Sequence, residues 1–292
     1  MCDLYRWLDQ LTPAMALASV VRTSGSTYRK VGARMVIDET GEFLGLVSGG
    51  CLEREVARRA QQVLADGTPQ LVAFDTRQFL GCDGLVEIVI EPLPAELITA
   101  LRRQVEERRQ DLTLVTPFTG GTRLGSGDPE SLSVRLEPPR RLLIFGSGVD
   151  VAPMAAMAEC LGYETVRLTH PADPARPAGL VPLDPAGVAR RFALDQRTAA
   201  VVMNHHYGND LAFLAALWDS PVGYLGCVGS RARRECLLAD LAQSGLAIEA
   251  RPFFSPAGLN LGGEGPEAIA LSVLAEIQTV FSGAPHPHVH NV

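Results

Sequence analysis

Short apolar runs broken by glycine and proline fill the first 137 residues, and strand-like and helix-like spacings follow one another there without strict alternation. "YRWLDQL" has the spacing of a short opening helix, and "MALASVVRT", rich in small and β-branched residues, predicts a buried strand. A second strand is expected at 33–37. "ETGEFLGLVS" predicts a hairpin that turns at Glu39 to Gly41. Helical charge spacing then runs from about Cys51 to Asp66 and stops at Gly67, the residue type favoured just past a helix end. "QLVAFDT" and "GLVEIVIEP" predict strands, "PAELITALRRQVEERR" a helix with proline at its start, and "DLTLVTPF" a further strand. The turn-rich stretch from Gly120 to Glu137 has room for one more hairpin.

The pattern changes at "EPPRR", 137–141, and strands then alternate with helices: "RLLIFG", helix, "ETVRL", "AAVVMN", helix, "VGYLGCVG", helix. Such alternation predicts a parallel sheet with crossover helices, and near-continuous apolar strands fit a sheet covered on both faces. The expected class is therefore α/β, with an N-terminal mixed α+β domain over 1–137. A C-terminal Rossmann-like, doubly wound parallel-sheet domain follows over 138–292. The proline-rich stretch at 171–187 reads as an irregular surface loop. "PEAIALSVLAEIQTVFSG" reads as an apolar last helix, and "APHPHVHNV" as a frayed tail.

In the second half, Gly146 and Gly148 occupy the first two glycine positions of a dinucleotide fingerprint, where one permits the tight turn and the other lets a pyrophosphate approach the backbone. Val151 stands at the third position, and Thr169 or His170 falls where an acidic ribose ligand is wanted. Both departures count against NAD(P), while leaving another nucleotide open. "YLGCVGSRARRECLL" repeats the strand–turn–helix geometry. Gly226 and Gly229 frame this turn, Ser230 is a candidate cap, and Arg231 is a candidate anion contact at the helix start. Arg233 and Arg234 read as a solvated helix face. His205 and His206 end the intervening strand, with Asp210 as the expected cap of the next helix. Carboxyl ends of strands gather at one edge of a doubly wound sheet, which would bring these groups into one crevice. Glu267 and Glu276 read as helix-face charges.

Composition narrows the function classes. The 292 residues are 47% hydrophobic and 20% charged, enough to bury a sizeable core. A net charge of −7 and a pI near 5.4 argue against nucleic acid as a partner. No apolar run approaches the roughly 18 residues that would span a bilayer, and Asp3 interrupts any signal-peptide pattern. A cytoplasmic protein is expected. Six cysteines, at 2, 51, 82, 160, 227 and 236, form no C-x-x-C pair. Free thiols usually behave as small buried hydrophobes, and Cys160 and Cys236 are expected to do so.

Taken together, these motifs resemble the XdhC/CoxI family of accessory proteins that mature molybdenum hydroxylases such as xanthine dehydrogenase. The resemblance rests on "GSTYRKVGARMVI", "SGGCLEREV" and "GCDGLVEIVIEP" in the first half. In the second half it rests on "LLIFGSGVDVAPMAAMAECLGY", "VVMNHHYGNDLAFLAAL", "YLGCVGSRARRECLL" and "GLNLGGEGPEAIALSVLAEI". It implies a non-enzymatic chaperone that binds molybdenum cofactor (molybdopterin), protects it during sulfuration and inserts it into a client hydroxylase. A cysteine desulfurase is the further implied partner, and a homodimer is expected from the apolar last helix and the two-domain layout.

Two thiols have the chemistry for such a cargo. Cys51 follows Gly49 and Gly50 at the expected start of a helix, where the dipole favours thiolate. Cys82 lies between Gly81 and Gly84. Thiolate is the form that ligates a soft metal, so Cys51 and Cys82 are the candidate molybdenum contacts. Arg29, Lys30 and Arg34 supply positive charge for an anionic pterin phosphate. Glu53 and Glu55 oppose thiolate formation. Two other function classes remain open: an NAD(P)-dependent oxidoreductase using the Rossmann half, and a thiol sulfurtransferase carrying persulfide on Cys51.

Overall fold

In the computed structural model, residues 3–75, 84–104, 109–173 and 178–283 are described, and the chain divides into two units, Met1–Pro138 and Pro139–Val292.

The first unit begins with α1 (Asp3–Arg6), β1 (Ala16–Gly25), β2 (Arg34–Ile37), β3 (Phe43–Gly45), α2 (Glu53–Asp66), β4 (Gln70–Asp75) and β5 (Gly84–Pro92). The five strands form an antiparallel sheet in the order β3-β2-β1-β5-β4. The β2–β3 turn falls where the hairpin is expected, closed by Asp38, whose carboxylate accepts from the Thr40 and Glu42 amides. Alternate residues of β1 enter different cores. Ala16, Ala18 and Val20 pack under α2 with Val56, Ala60 and Val63, while Leu17 joins Leu4, Trp7 and Leu11 on the opposite face. α3 (Ala95–Arg103) covers that second face through Leu97, Ile98 and Leu101. A three-stranded antiparallel sheet, β6 (Leu112–Pro117), β7 (Arg123–Leu124) and β8 (Ser131–Leu136), completes the unit in the order β7-β6-β8. Glu91, 1% exposed, joins this region to β5, accepting from the Thr122 amide at 3.0 Å and from the Gly121 amide and Thr122 hydroxyl.

The second unit contains β9 (Arg141–Phe145), α4 (Val151–Cys160), β10 (Glu164–Thr169), β11 (Val181–Pro182), α5 (Val188–Arg191) and β12 (Thr198–Val202). It ends with α6 (Tyr207–Leu217), β13 (Tyr224–Cys227), α7 (Arg231–Gln243) and α8 (Pro266–Ser282). All five strands are parallel, ordered β11-β10-β9-β12-β13, so the order reverses beside β9 and the unit is a Rossmann-like domain. Every residue of β9, β12 and β13 is buried, which explains why these strands read as unbroken apolar runs. One face packs on α4 and α8 around Met154, Val273 and Ile277; the other packs on α6 and α7 around Phe213, Leu217 and Leu237. The proline-rich stretch is more ordered than expected. Its edge strand β11 pairs with β10, and Asp184 caps a 3-10 turn at Pro185–Gly187 by accepting from the Ala186 amide at 2.9 Å.

Glu276 is not a helix-face charge. It is 8% exposed, and one carboxylate oxygen accepts from the Tyr224 hydroxyl at 2.6 Å and from the Gly258 amide at 2.9 Å. Burial and this neighbouring carboxylate hold the Tyr224 hydroxyl well above the ordinary tyrosine range. Arg251 also ties a loop together, its guanidinium donating to the carbonyls of Leu217, Trp218, Ser220 and Val222. Replacing Glu276 with alanine would strand a buried hydroxyl and a loop amide together. A loss of about 2–4 kcal/mol is expected in urea unfolding, with Glu276→Gln losing less.

Candidate functional site

The turn that carries Cys51 is organised from beneath. α2 starts at Glu53, and Cys51 lies two residues ahead of it, so the thiol is outside the helix that was expected to begin with it. Ser48 sits in the turn, and its Oγ accepts from the amides of Gly50 at 3.2 Å, Cys51 at 3.2 Å and Leu52 at 3.1 Å. Glu53 is only 2% exposed. Its carboxylate accepts from the Val47 amide at 3.1 Å, the Ser48 amide at 2.8 Å, the Leu52 amide at 3.2 Å and the Ser48 hydroxyl at 2.6 Å. The amides of Gly50 and Cys51 therefore point inward, onto a serine that is itself held by a carboxylate.

What remains outside is the side chain. Cys51 is exposed, with its Sγ 3.6 Å from Ser48 Oγ. Gly50 holds φ at +108°, which favours glycine, and space beside it is open; a β-carbon on Gly49 would meet the Tyr28 ring at 3.3 Å. Tyr28 is 72% exposed, so the turn presents a thiol and an aromatic face to solvent. Lys30 is also exposed, and Arg29, half-buried, donates from Nε to the Leu46 carbonyl at 3.1 Å. Arg34 differs from expectation. It is 3% exposed within β2 and donates to the Gly32 carbonyl at 3.1 Å, so its charge is not offered at the surface. Gly81 and Cys82 lie outside the described residues, as does Cys2. No group of three or more His, Cys, Asp or Glu able to hold a metal occurs among the described residues.

At the second unit's carboxyl edge, the turn after β9 and the end of β12 meet. A β-carbon on Gly146 would fall 2.6 Å from the Met203 carbonyl oxygen, and one on Gly148 would fall 2.6 Å from His205 Nε2. The exposed His205 ring thus lies against the glycine turn. The third fingerprint position, Val151, is 4% exposed and packs in the core with Met154. Thr169 is the buried end of β10, and an acidic residue follows it by four positions. Asp173 accepts from Ser147 Oγ at 2.6 Å and Thr169 Oγ1 at 2.9 Å, tying this strand end to the glycine turn.

A second buried carboxylate orders the neighbouring strand ends. Asp210 was expected to cap α6, but His206 does so, Nδ1 accepting from the Asn209 amide at 3.4 Å. Asp210 is fully buried and accepts from the Asn204 amide at 3.0 Å and side chain at 3.1 Å. Its other oxygen takes a two-pronged contact from Arg233, at 3.0 and 2.6 Å. Arg233 is therefore not a solvated face charge. Burial holds the Asp210 carboxyl above the ordinary range against the pull of Arg233 and Asn204. Ser230 caps α7, accepting from the Arg233 amide at 3.2 Å, and Arg231 is exposed in the first turn. Gly229 lines a cavity of ≈430 Å³ with Pro256, Asn260 and Gly263.

The remaining thiols also divide. Cys227 is fully buried, and burial first, then the charge of Asp210, pushes it up to about 12. Cys160 and Cys236 are exposed, contrary to the expectation of buried hydrophobes.

The family models of XdhC Rossmann domain and of XdhC and CoxI family match residues 142–277 and 10–75 respectively. The chain belongs to the XdhC/CoxI family. It is 29% identical over 311 aligned positions to a Bacillus subtilis (strain 168) protein named as a probable component of xanthine dehydrogenase, across 89% of this chain and 91% of that one. It is 27% identical over 279 positions to the Escherichia coli (strain K12) "Molybdenum cofactor insertion chaperone PaoD", across 90% of this chain and 82% of the relative. A crystal structure described as a xanthine dehydrogenase from Bacillus halodurans superposes with TM-score 0.72 at 24% identity, over 98% of this chain and 97% of that one. That likeness shows a shared fold. No helix among the described residues is long and apolar enough to cross a membrane.

Two outcomes are expected from this XdhC/CoxI geometry. Alkylation of the folded protein at pH 8 should label Cys51, Cys160 and Cys236 and leave Cys227 unlabelled until denaturant is added, as peptide mass spectrometry would read. Asp210→Ala, which leaves Arg233 without its buried partner, should cost about 3–5 kcal/mol of unfolding free energy in a denaturant titration.

Proposed function

We propose that this chain is a maturation chaperone that receives molybdenum cofactor and passes it to a molybdenum hydroxylase of the xanthine dehydrogenase type. Family membership and the relative named as an insertion chaperone support the maturation role. The finer reading is that Cys51 meets the cargo, which is held while a cysteine desulfurase supplies its sulfido ligand.

One observation carries it: the exposed Cys51 thiol stands on a turn whose own donors are directed onto Ser48 and Glu53. Such a turn offers sulfur without a competing amide cradle, and thiolate is the ligand a soft metal selects. The exposed ring of Tyr28, packed against Gly49, offers a flat apolar face to a planar ring system beside that sulfur. Arg29 and Lys30, three and two residues before Gly32 in an exposed loop of the same unit, supply positive charge for an anionic phosphate.

The test is co-purification from cells with active cofactor synthesis, reading pterin by fluorescence and molybdenum by elemental mass spectrometry. Cys51→Ala should lower both by at least about tenfold, since even losing a partner of a metal ligand acts on that scale. Cys236→Ala should leave both unchanged. Equal cofactor content in Cys51→Ala and wild type would sink the reading. A persulfide adduct on Cys51, without pterin or molybdenum, would replace it with the sulfurtransferase reading. The oxidoreductase reading gains nothing from the glycine turn, where Val151 fills the third position and Ser147 and Thr169 already engage Asp173.

A further inference from the structure

The surroundings of Cys51 carry apolar side chains and positive charge that the turn itself does not use. Arg29 donates to the Leu46 carbonyl, and a β-carbon on Gly49 would touch the Tyr28 ring, so the Tyr28–Val31 loop lies beside the Leu46–Cys51 stretch. Val31 is 43% exposed there and Leu46 40%. α2 adds three arginines. Arg58 and Arg59 share a single carboxylate, that of Glu55, at 2.8 and 2.9 Å. Arg54, three residues after Cys51, is exposed and has no ion-pair partner among the described residues. It stands in the first turn of α2, where the helix dipole works against a cation. Glu53, the other early acid of the helix, is buried and engaged by the Ser48 turn. The outer face of α2 next to the thiol is therefore positive, in a chain with 26 Lys and Arg against 33 Asp and Glu.

We propose that the arginine face of α2, with Val31 and Leu46, is the surface on which the protein receiving the cargo docks, and that this recipient presents an acidic patch. The docking surface rests on the carrier reading of Cys51 and adds the chemistry of its partner. Cargo leaving the thiol must pass directly into its recipient or be lost to water, so the residues around the thiol are those a recipient touches. Aliphatic side chains bordered by charge are the anatomy of a non-obligate interface. Positive charge on one side is matched by negative charge on the other, which speeds encounter and rejects wrong partners. A second copy of this chain does not fit, since a two-fold contact here would set Arg54 against the arginines of its own image. Nucleic acid fits less well, because a chain of net charge −7 repels a phosphate backbone beyond this one helix face.

Biolayer interferometry with the full chain and cofactor-free xanthine dehydrogenase from the same organism tests this, between about 25 and about 500 mM NaCl. The wild-type association rate should fall at least about tenfold across that range. Arg54→Glu combined with Arg58→Glu should lower the low-salt rate about tenfold and flatten the salt dependence, with wild-type circular dichroism and Tm. Arg54→Gln, which removes one charge and no more, should lower it about twofold, and this result stands even if the double variant folds poorly. Arg190→Glu, at an exposed arginine of the other unit, should associate as wild type does. Cys51→Ala should lose cofactor yet associate at the wild-type rate, so the carrier reading and the docking surface fail separately. No association by wild type, a rate indifferent to salt, or an unchanged rate in the double variant overturns the proposal. So does a double variant that associates normally but co-purifies with less pterin, which would assign the arginines to the phosphate of the cargo. Binding of wild type to phosphatidylserine vesicles and not to the dehydrogenase would assign the face to a membrane and overturns it as well.

Discussion

A carboxylate taken out of water must be surrounded by donors or it destabilises the fold by several kcal/mol. Glu53, Glu91, Asp210 and Glu276 are all buried, and each solves this problem by gathering backbone amides from a loop. Glu53 holds the Cys51 turn, Glu91 the turn before β7, Asp210 the end of β12 and Glu276 the glycine-rich loop before α8. In every case the acid sits on a regular element and the donors on an irregular one. The helices and sheets supply the rigidity, and the acids transmit it to the loops where chemistry is expected.

The Rossmann-like unit was legible because its physics repeats. Strands buried on both faces are largely apolar, and the helices between them must return the chain to the same edge, so β9, β12 and β13 all leave a pattern in the sequence. The glycine turns were equally visible, since close approach to Met203 and His205 excludes a side chain at Gly146 and Gly148. The short β11 was hidden because an edge strand of two residues among prolines has no period to detect.

The site was less legible. A polar residue on a helix suggests solvent, and nothing local distinguishes Glu276 from Glu267. A signal did exist. Glu53 begins the spacing Glu53, Val56, Ala57, Ala60, and Asp210 begins Asp210, Phe213, Leu214, Leu217; in these two helices the carboxylate is in step with the buried apolar stripe. Arg34 shows the same logic in a strand, lying inside β2 among Met35, Val36 and Ile37. Exposure of Cys160 was not predictable in this way, because the apolar α4 gives no indication of which of its faces the rest of the chain leaves uncovered, whereas Cys236 sits on the charged α7 one position before its buried Leu237.

The Cys51 turn has a consequence for rates. Ser48 and Glu53 fix its backbone when the chain folds, so this turn does not have to become ordered when something meets the thiol, or melt when it leaves. Arrival and departure are then limited by diffusion and by the strength of the contact itself. A carrier benefits from that arrangement more than an enzyme does, since its task is complete only when the cargo has gone.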